Sequence, residues 1–456
     1  MSKVVPYSPF STRTRAVIVI ITALSGLVSP LAGNMFYPSI QRVRDDFHAS
    51  QTAVTWTVTA YIIAMAVFPL VWSNLADQFG RKPVYALSML VYTSGSIGCA
   101  LSHNLTALIA SRVVQSAGAS AVQGAGAGTI SDIYPREKRG TALGIYYLGP
   151  LLGPCLGPLI GGYIGQFAGW RWVFWALAIW GGLMLLLVVL LLPETHRRLV
   201  AAKHEIEQIN IPPPLSFRSN NPLRDIATIR YPVVALVMLH FAMIFGAYFT
   251  NATGLPLAFE NIYGLSQGIS GVCFLPSGVG CIVGSVIGGR VTDILLRRHR
   301  RALETPADDT KVSADAVKVP AEVRLKAMWL GTGLFLCALI IGGWILEHRL
   351  ALAGFLVVQF FIGAGMAFTF QCLGGYLIDI FPASSARITG VQNLCRSAWA
   401  AIMVQIFPTM LRSIGWGWSY SVMFFITLGS LALVQIVVFR GSMLRERFGP
   451  REGKGM

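Results

Sequence analysis

Long, continuously apolar runs recur along the whole chain. Each is close to the roughly 20 residues a helix needs to cross the hydrocarbon core of a bilayer. Six runs fall at about 16–36, 52–72, 84–101, 105–130, 142–164 and 172–192. Six more fall at about 232–254, 269–291, 327–346, 350–378, 388–411 and 417–439. They do not alternate apolar with polar residues, which excludes a β-barrel. The pattern predicts an all-α polytopic membrane protein with 12 transmembrane helices. Between the sixth and seventh runs lies a polar stretch, 193–231, which carries Pro212-Pro213-Pro214 and mixed charge. The expected organisation is a terminus (1–15), a six-helix bundle (16–192), a linker (193–231), a second six-helix bundle (232–439) and a tail (440–456).

Composition agrees with this pattern. Hydrophobic residues make up 54% of the 456 and charged residues 12%, against about 25% charged in soluble domains. A disordered chain, a nucleic-acid factor and an ordinary cytosolic enzyme are excluded. The net charge of +16 is accounted for by position. With both termini placed in the cytoplasm, the segments on that side hold 28 Lys and Arg and the outer loops hold 5. That asymmetry sets the expected orientation, and no nucleic-acid partner is needed. The seven cysteines all lie in apolar runs without a CxxC pair. They read as small packing residues rather than disulfide or metal ligands. The first run is too long for a signal h-region and reads as a retained span.

The two halves resemble each other. Asp77 with Arg81-Lys82 after the second run matches Asp293 with Arg297-Arg298 after the eighth, at an offset of 216. Asp132-Ile133-Tyr134-Pro135 matches Asp379-Ile380-Phe381-Pro382 at an offset of 247. A longer loop after the eighth run, 295–326, accounts for the difference. Two pseudo-symmetric, parallel six-span halves are a transporter architecture.

Three further patterns carry chemistry. Ser73-x-x-x-Asp77-x-x-Gly80-Arg81-Lys82 joins spans 2 and 3. Arg112-Val113-Val114-Gln115-Ser116-x-Gly118 lies in span 4, where a charge is costly and faces a cavity, pairs with carbonyls or snorkels. Span 5 carries Gly140, Gly149, Gly153-Pro154, Gly157-Pro158 and Gly161-Gly162, small residues and prolines that give a close-packed, bent helix. With these motifs the chain resembles the major facilitator superfamily, in detail its fungal twelve-span drug:proton antiporters. That family includes exporters of drugs, organic acids and metabolites. Ser73 stands where the family has Gly, and Pro158 replaces another Gly.

The resemblance implies a cytoplasmic gate of Asp77, Gly80, Arg81 and Asp132. Asp77 would face the start of span 11, and Arg81 would pair with Asp132. It implies an antiporter-motif helix with Gly149, Gly153, Pro154 and Gly157, and a cavity lined by spans 1, 4, 7 and 10. Candidates for substrate contact or coupling are Asn34, Arg112, Gln115, His240, Asn251, Gln371 and Arg396. Gln359 and Asn393 are further buried polar groups. Each can equally bond a neighbouring helix. His240 is a candidate proton carrier, and Glu260 reads as a loop acid beyond span 7. Arg112 and Arg396 lack an obvious acidic partner, and Arg396 is within reach of Asp379 or Asp77. An unpaired buried charge is unfavourable, so an anionic substrate would complete it.

The expected function is export of a small organic molecule by proton antiport, leaning to an itaconate-like dicarboxylate, with a multidrug antiporter as the alternative. No Walker A pattern is present and no catalytic constellation converges, so neither an ATP-driven pump nor an enzyme is expected. A transporter-like sensor would need a larger soluble domain. The proton gradient is the expected driving force, with no cofactor and no metal. The expected partners are the lipid bilayer, the substrate and protons. A functional monomer in the fungal plasma membrane is expected.

Overall fold

A computed structural model describes residues 9–134, 139–197, 199–200, 227–304, 322–380 and 385–448. Most of the expected linker, most of the loop after span 8, the first eight residues and the chain beyond 448 lie outside the described residues. So do Pro135, Phe381 and Pro382 of the repeated motif.

The described residues are helical almost throughout. The first part contains α1 (Thr12–Asn34), a 3-10 turn (Tyr37–Ser39), α2 (Ile40–Asp46), α3 (Gln51–Phe79) and α4 (Arg81–Ala100). It continues with α5 (Leu105–Ala119), α6 (Ala121–Ile133), α7 (Arg139–Phe167) and α8 (Trp170–Leu191). Then follow α9 (Pro232–Asn261), α10 (Gln267–Val272), α11 (Leu275–Glu304), α12 (Val323–Glu347), α13 (Leu352–Ile380) and α14 (Ser385–Phe448). Polar caps mark several starts and satisfy amides that the helix leaves open. Ser11 accepts from Thr14 N at 3.2 Å, Ser50 from Ala53 N at 3.2 Å, and Asn104 from Ala107 N at 2.7 Å.

Among the described residues, ten helices are long and apolar enough to cross a membrane. The count differs from twelve for two reasons. In α4, Tyr, Ser, Thr and Gly dilute an otherwise apolar stretch. Residues 388–439 form one run of 52 residues, about 78 Å at 1.5 Å per residue and far more than one crossing. Gly415, at φ 73° and ψ −177°, breaks the helical geometry between the eleventh and twelfth expected spans. Some boundaries also move. The eighth span is interrupted at Cys273-Phe274 and then continues to Glu304, ten residues into the expected loop. The last helix runs to Phe448, into the expected tail. Glu260, expected in a loop, lies inside α9.

Contacts divide the chain into two compact units. One is Met1–Pro222 with Thr253–Leu275, and the other is Leu223–Ala252 with Pro276–Met456. In the second unit a core gathers Val234, Val237, Met328, Cys372, Tyr376, Leu377 and Val434, all at most 1% exposed. Large apolar side chains remain uncovered on both units, among them Ile179, Leu190, Phe425 and Phe439. In water so much exposed apolar surface would be a liability, and in a bilayer it faces a matching solvent.

Candidate functional site

In the first unit the loop between α3 and α4 is built around Gly80, whose φ of 98° suits glycine. A Cβ there would also lie 2.5 Å from the Glu194 carboxylate. That carboxylate accepts the Arg81 amide at 2.9 Å and the Lys82 amide at 3.1 Å. A negative group therefore caps the positive end of α4. The structure pairs Arg81 with Asp132, as expected, and also with Asp77. Nη1 lies 3.1 Å from Asp77, and Nε lies 3.2 Å from Asp132. Arg197 Nε donates to the Asp132 carbonyl at 3.3 Å, and burial pulls its guanidinium below the ordinary arginine range. Glu194 and Arg197, read in sequence as charges of the linker, are thus parts of this network. Their contacts span 113 and 65 residues, so no local pattern announces them.

Arg112 is fully buried in α5. Its Nη1 donates to the Ala32 carbonyl at 3.1 Å and to Gln115 Oε1 at 2.7 Å, and its Nε to the Thr57 carbonyl at 3.4 Å. Its guanidinium also lies over Tyr61 at 4.2 Å, Phe36 at 5.1 Å and Phe174 at 5.8 Å. Gln115 continues the chain of bonds to Ser96 at 2.9 Å. Carbonyl oxygens and ring faces spread the charge without a carboxylate. Snorkelling is excluded by this geometry. Asn34 bonds back to the Pro30 carbonyl within α1 at 2.6 Å.

The glycines of α7 form a stripe against α1. A Cβ on Gly149 would sit 2.1 Å from the Ala23 carbonyl oxygen. On Gly153 it would sit 2.4 Å from Pro30, on Gly157 2.8 Å from Asn34, and on Gly161 2.0 Å from the Met35 carbonyl oxygen. Only hydrogen fits, so the backbones meet. Pro150, Pro154 and Pro158 all lie within this helix. A second stripe, Gly280, Gly284 and Gly288 on α11, meets α13 in the same way, with Cβ distances of 2.1, 2.1 and 2.9 Å. Its four-residue spacing is present in the sequence at Gly280, Gly284 and Gly288.

In the second unit Asp379 pairs with Arg324, at the start of α12. Arg324, not Arg297, is therefore the counterpart of Arg81, because the extra loop residues precede it. Arg396 is not Asp379's partner. Asn251 and Gln359 exchange amide bonds at 2.9 and 3.2 Å, and Tyr420 donates to Asn251 at 2.9 Å. His240 is fully buried between two hydroxyls, Ser430 at 2.8 Å from Nδ1 and Thr332 at 3.3 Å from Nε2. Gln371 donates to Ser285 at 2.6 Å. Arg396 is half-buried, and its Nε and Nη2 share the Asn393 oxygen at 3.1 and 2.7 Å. Its guanidinium lies 4.4 Å from the Phe245 ring centre, 5.0 Å from Phe370 and 5.9 Å from Phe241. Those three rings also line a small hollow of about 10 Å³, room for about one water, with Ile244, Met366, Thr369 and Leu373.

The internal repeat reaches these contacts. At the offset of 247, Gly118 corresponds to Gly365 and Arg112 to Gln359. Both glycines seat a backbone amide of the preceding span, Tyr92 N at 2.2 Å and Phe335 N at 2.6 Å from an added Cβ. Arg112 ties span 4 to α1, and Gln359 ties span 10 to α9.

This architecture, two six-span units with matching ion pairs and an arginine within span 4, is that of a membrane transporter rather than an enzyme. Residues 22–305 match the sequence profile of the Major Facilitator Superfamily, and the chain belongs to that family. Among relatives, it is 31% identical to the MFS-type transporter tndD of Aspergillus flavipes, over 94% of this chain and 81% of that one. It is 28% identical to Citrate exporter 1 of Aspergillus niger, over 98% and 88%. The crystal structure of a D-xylose-proton symporter superposes with a TM-score of 0.71 over 97% of this chain and 99% of that one. At 14% identity that likeness establishes the fold alone.

Proposed function

We propose that this transporter exports a small organic anion by alternating access, with proton antiport as the driving force and no other cofactor. Arg396 carries the reading. It is a half-buried cation whose hydrogen bonds go to a neutral amide, with no carboxylate paired to it among the described residues. A guanidinium has five donors, so it retains capacity for a carboxylate. A relative named as a citrate exporter supports export of an anion. Arg112 gives Nε and Nη1 to carbonyls and Gln115 while its buried Nη2 has no hydrogen-bond partner, and it acts as a positioning group in this reading. His240, held between hydroxyls, is the proposed titrating group for the proton. The orientation with both termini in the cytoplasm rests on the distribution of Lys and Arg. A functional monomer in the plasma membrane completes the proposal, since each chain contains both halves.

The test is release from reconstituted vesicles under an imposed pH gradient. An organic anion, a cationic drug and a neutral azole are compared in wild type and Arg396→Gln. Gradient-driven release of the anion, reduced in the variant, is the expected result. Release of the cationic drug alone overturns the reading in favour of a multidrug antiporter.

A further inference from the structure

The two halves use their matching basic pairs differently, and one pair is left without a structural role. In the first unit α3 ends at Phe79, Gly80 turns the chain, and Arg81 is held by Asp77 and Asp132. At the offset of 216, Leu296 stands in place of Gly80, and Arg297-Arg298 in place of Arg81-Lys82. Leucine disfavours the left-handed backbone of such a turn, and α11 runs on to Glu304. The ion pair to Asp379 comes from Arg324 instead. Arg290, Arg297 and Arg298 are exposed, and none of them forms an ion pair among the described residues. Arg300 and Arg301 follow in the sequence, and no acid lies between Asp293 and Glu304.

The span above this cluster sets where it lies. Val279, Val286, Arg290, Ile294 and Arg297 are spaced by seven, four, four and three residues. That spacing puts them on one helical face, and all five are exposed. Gly280, Gly284 and Gly288 lie on another face, against α13. The exposed valines and isoleucine suit lipid, so the arginines in line with them point toward the lipid headgroups. The eighth apolar run ends near residue 291, and Arg297 stands about 9 Å further along the axis. The headgroup layer is roughly 5–8 Å deep on each face, and a long arginine side chain bridges the remainder. We infer that the extension of α11 beyond its span is a docking site for anionic phospholipid headgroups, with Arg297 and Arg298 contacting their phosphates. A guanidinium fork matches phosphate oxygens bidentately, and basic clusters just cytoplasmic of a span attract the negative lipids of that leaflet. This goes beyond the transport reading and rests only on its orientation, which makes the loop after span 8 cytoplasmic.

The test uses the full chain, immobilised in a neutral detergent, and measures retention of radiolabelled probes. The probes are phosphatidylserine, phosphatidylinositol 4,5-bisphosphate, phosphatidylcholine and free inositol 1,4,5-trisphosphate. The expected result is retention of the two anionic lipids over phosphatidylcholine, weakened by added salt. One basic residue near an anionic surface contributes roughly fivefold in affinity, so Arg297→Gln/Arg298→Gln is expected to weaken binding about twentyfold. Arg297→Lys/Arg298→Lys keeps the charge and should retain most of it. Arg44→Gln/Arg349→Gln removes equal charge from the outer loops and should change nothing. Equal retention of phosphatidylcholine, or no loss in Arg297→Gln/Arg298→Gln, overturns the inference. Free trisphosphate held as tightly as its lipid overturns the lipid in favour of a soluble phosphate. The orientation is checked separately with His299→Cys in intact cells, against the wild type. Labelling there by an impermeant thiol reagent overturns the cytoplasmic placement, whatever the lipid titration shows.

Discussion

Glu194 caps the helix that Arg81 begins, its two carboxylate oxygens accepting the Arg81 and Lys82 amides at 2.9 and 3.1 Å. The same arginine's side chain pairs with Asp77 and Asp132. Backbone and side chain of one residue thus join the ends of three helices. Replacing Glu194 by Gln keeps the shape but removes the charge facing the dipole. A stability loss of about 0.5–1.5 kcal/mol is expected, read as a lower melting temperature in detergent. An unchanged melting temperature would show that the cap contributes nothing.

Arg81 and Asp132 are only 10% and 15% exposed at their side chains. Removing either leaves a poorly solvated charge behind. The double variant Arg81→Ala/Asp132→Ala should therefore lose less than the sum of the singles. A coupling energy of about 1–3 kcal/mol is expected from a double-mutant cycle on thermal or denaturant unfolding. Additive losses would mean that the two charges do not sense each other.

Gly153 leaves no room for a side chain, because an added Cβ meets Pro30 at 2.4 Å. Gly153→Leu must push α7 from α1 and should cost about 1–3 kcal/mol or more through overpacking. Gly144 on the same helix has open space around its Cβ position, so Gly144→Ala should be tolerated. Comparing melting temperatures of the two variants checks the stripe. Equal effects would remove the argument that α7 and α1 meet through hydrogen atoms alone.

Asn251 is fully buried and serves both Gln359 and Tyr420. Asn251→Ala leaves both partners short of a bond, at an expected loss of about 1–3 kcal/mol. The paired replacement Asn251→Leu/Gln359→Leu removes the need for those amide bonds and should cost less than the single. Denaturant titration of the three proteins decides it. A double variant worse than Asn251→Ala would imply that the amide pair does more than satisfy itself.

Much of this protein is legible in its sequence, because a bilayer imposes a simple rule. A spanning segment must be long, apolar and helical, and such runs show in any sliding window. The offset of 247 likewise locates Asp379, Gly365 and Gln359 opposite Asp132, Gly118 and Arg112. The glycine spacing of α7 predicts close packing, since a row of missing side chains has few other uses.

Tertiary structure decided which polar groups satisfy one another. Arg112 looked like a cavity cation, yet carbonyls of Ala32 and Thr57, 80 and 55 residues away, enclose it. Arg396 looked equivalent, yet it lies against an aromatic hollow. Glu194 looked like a linker charge and is a helix cap. Arg396 looked within reach of Asp379, yet Arg324, at the start of α12, is the partner of that carboxylate. Hydropathy reports the environment of a whole segment, whereas a buried hydrogen bond depends on the position of two atoms to within a few tenths of an ångström. Only the packing of helices distant in sequence fixes that position.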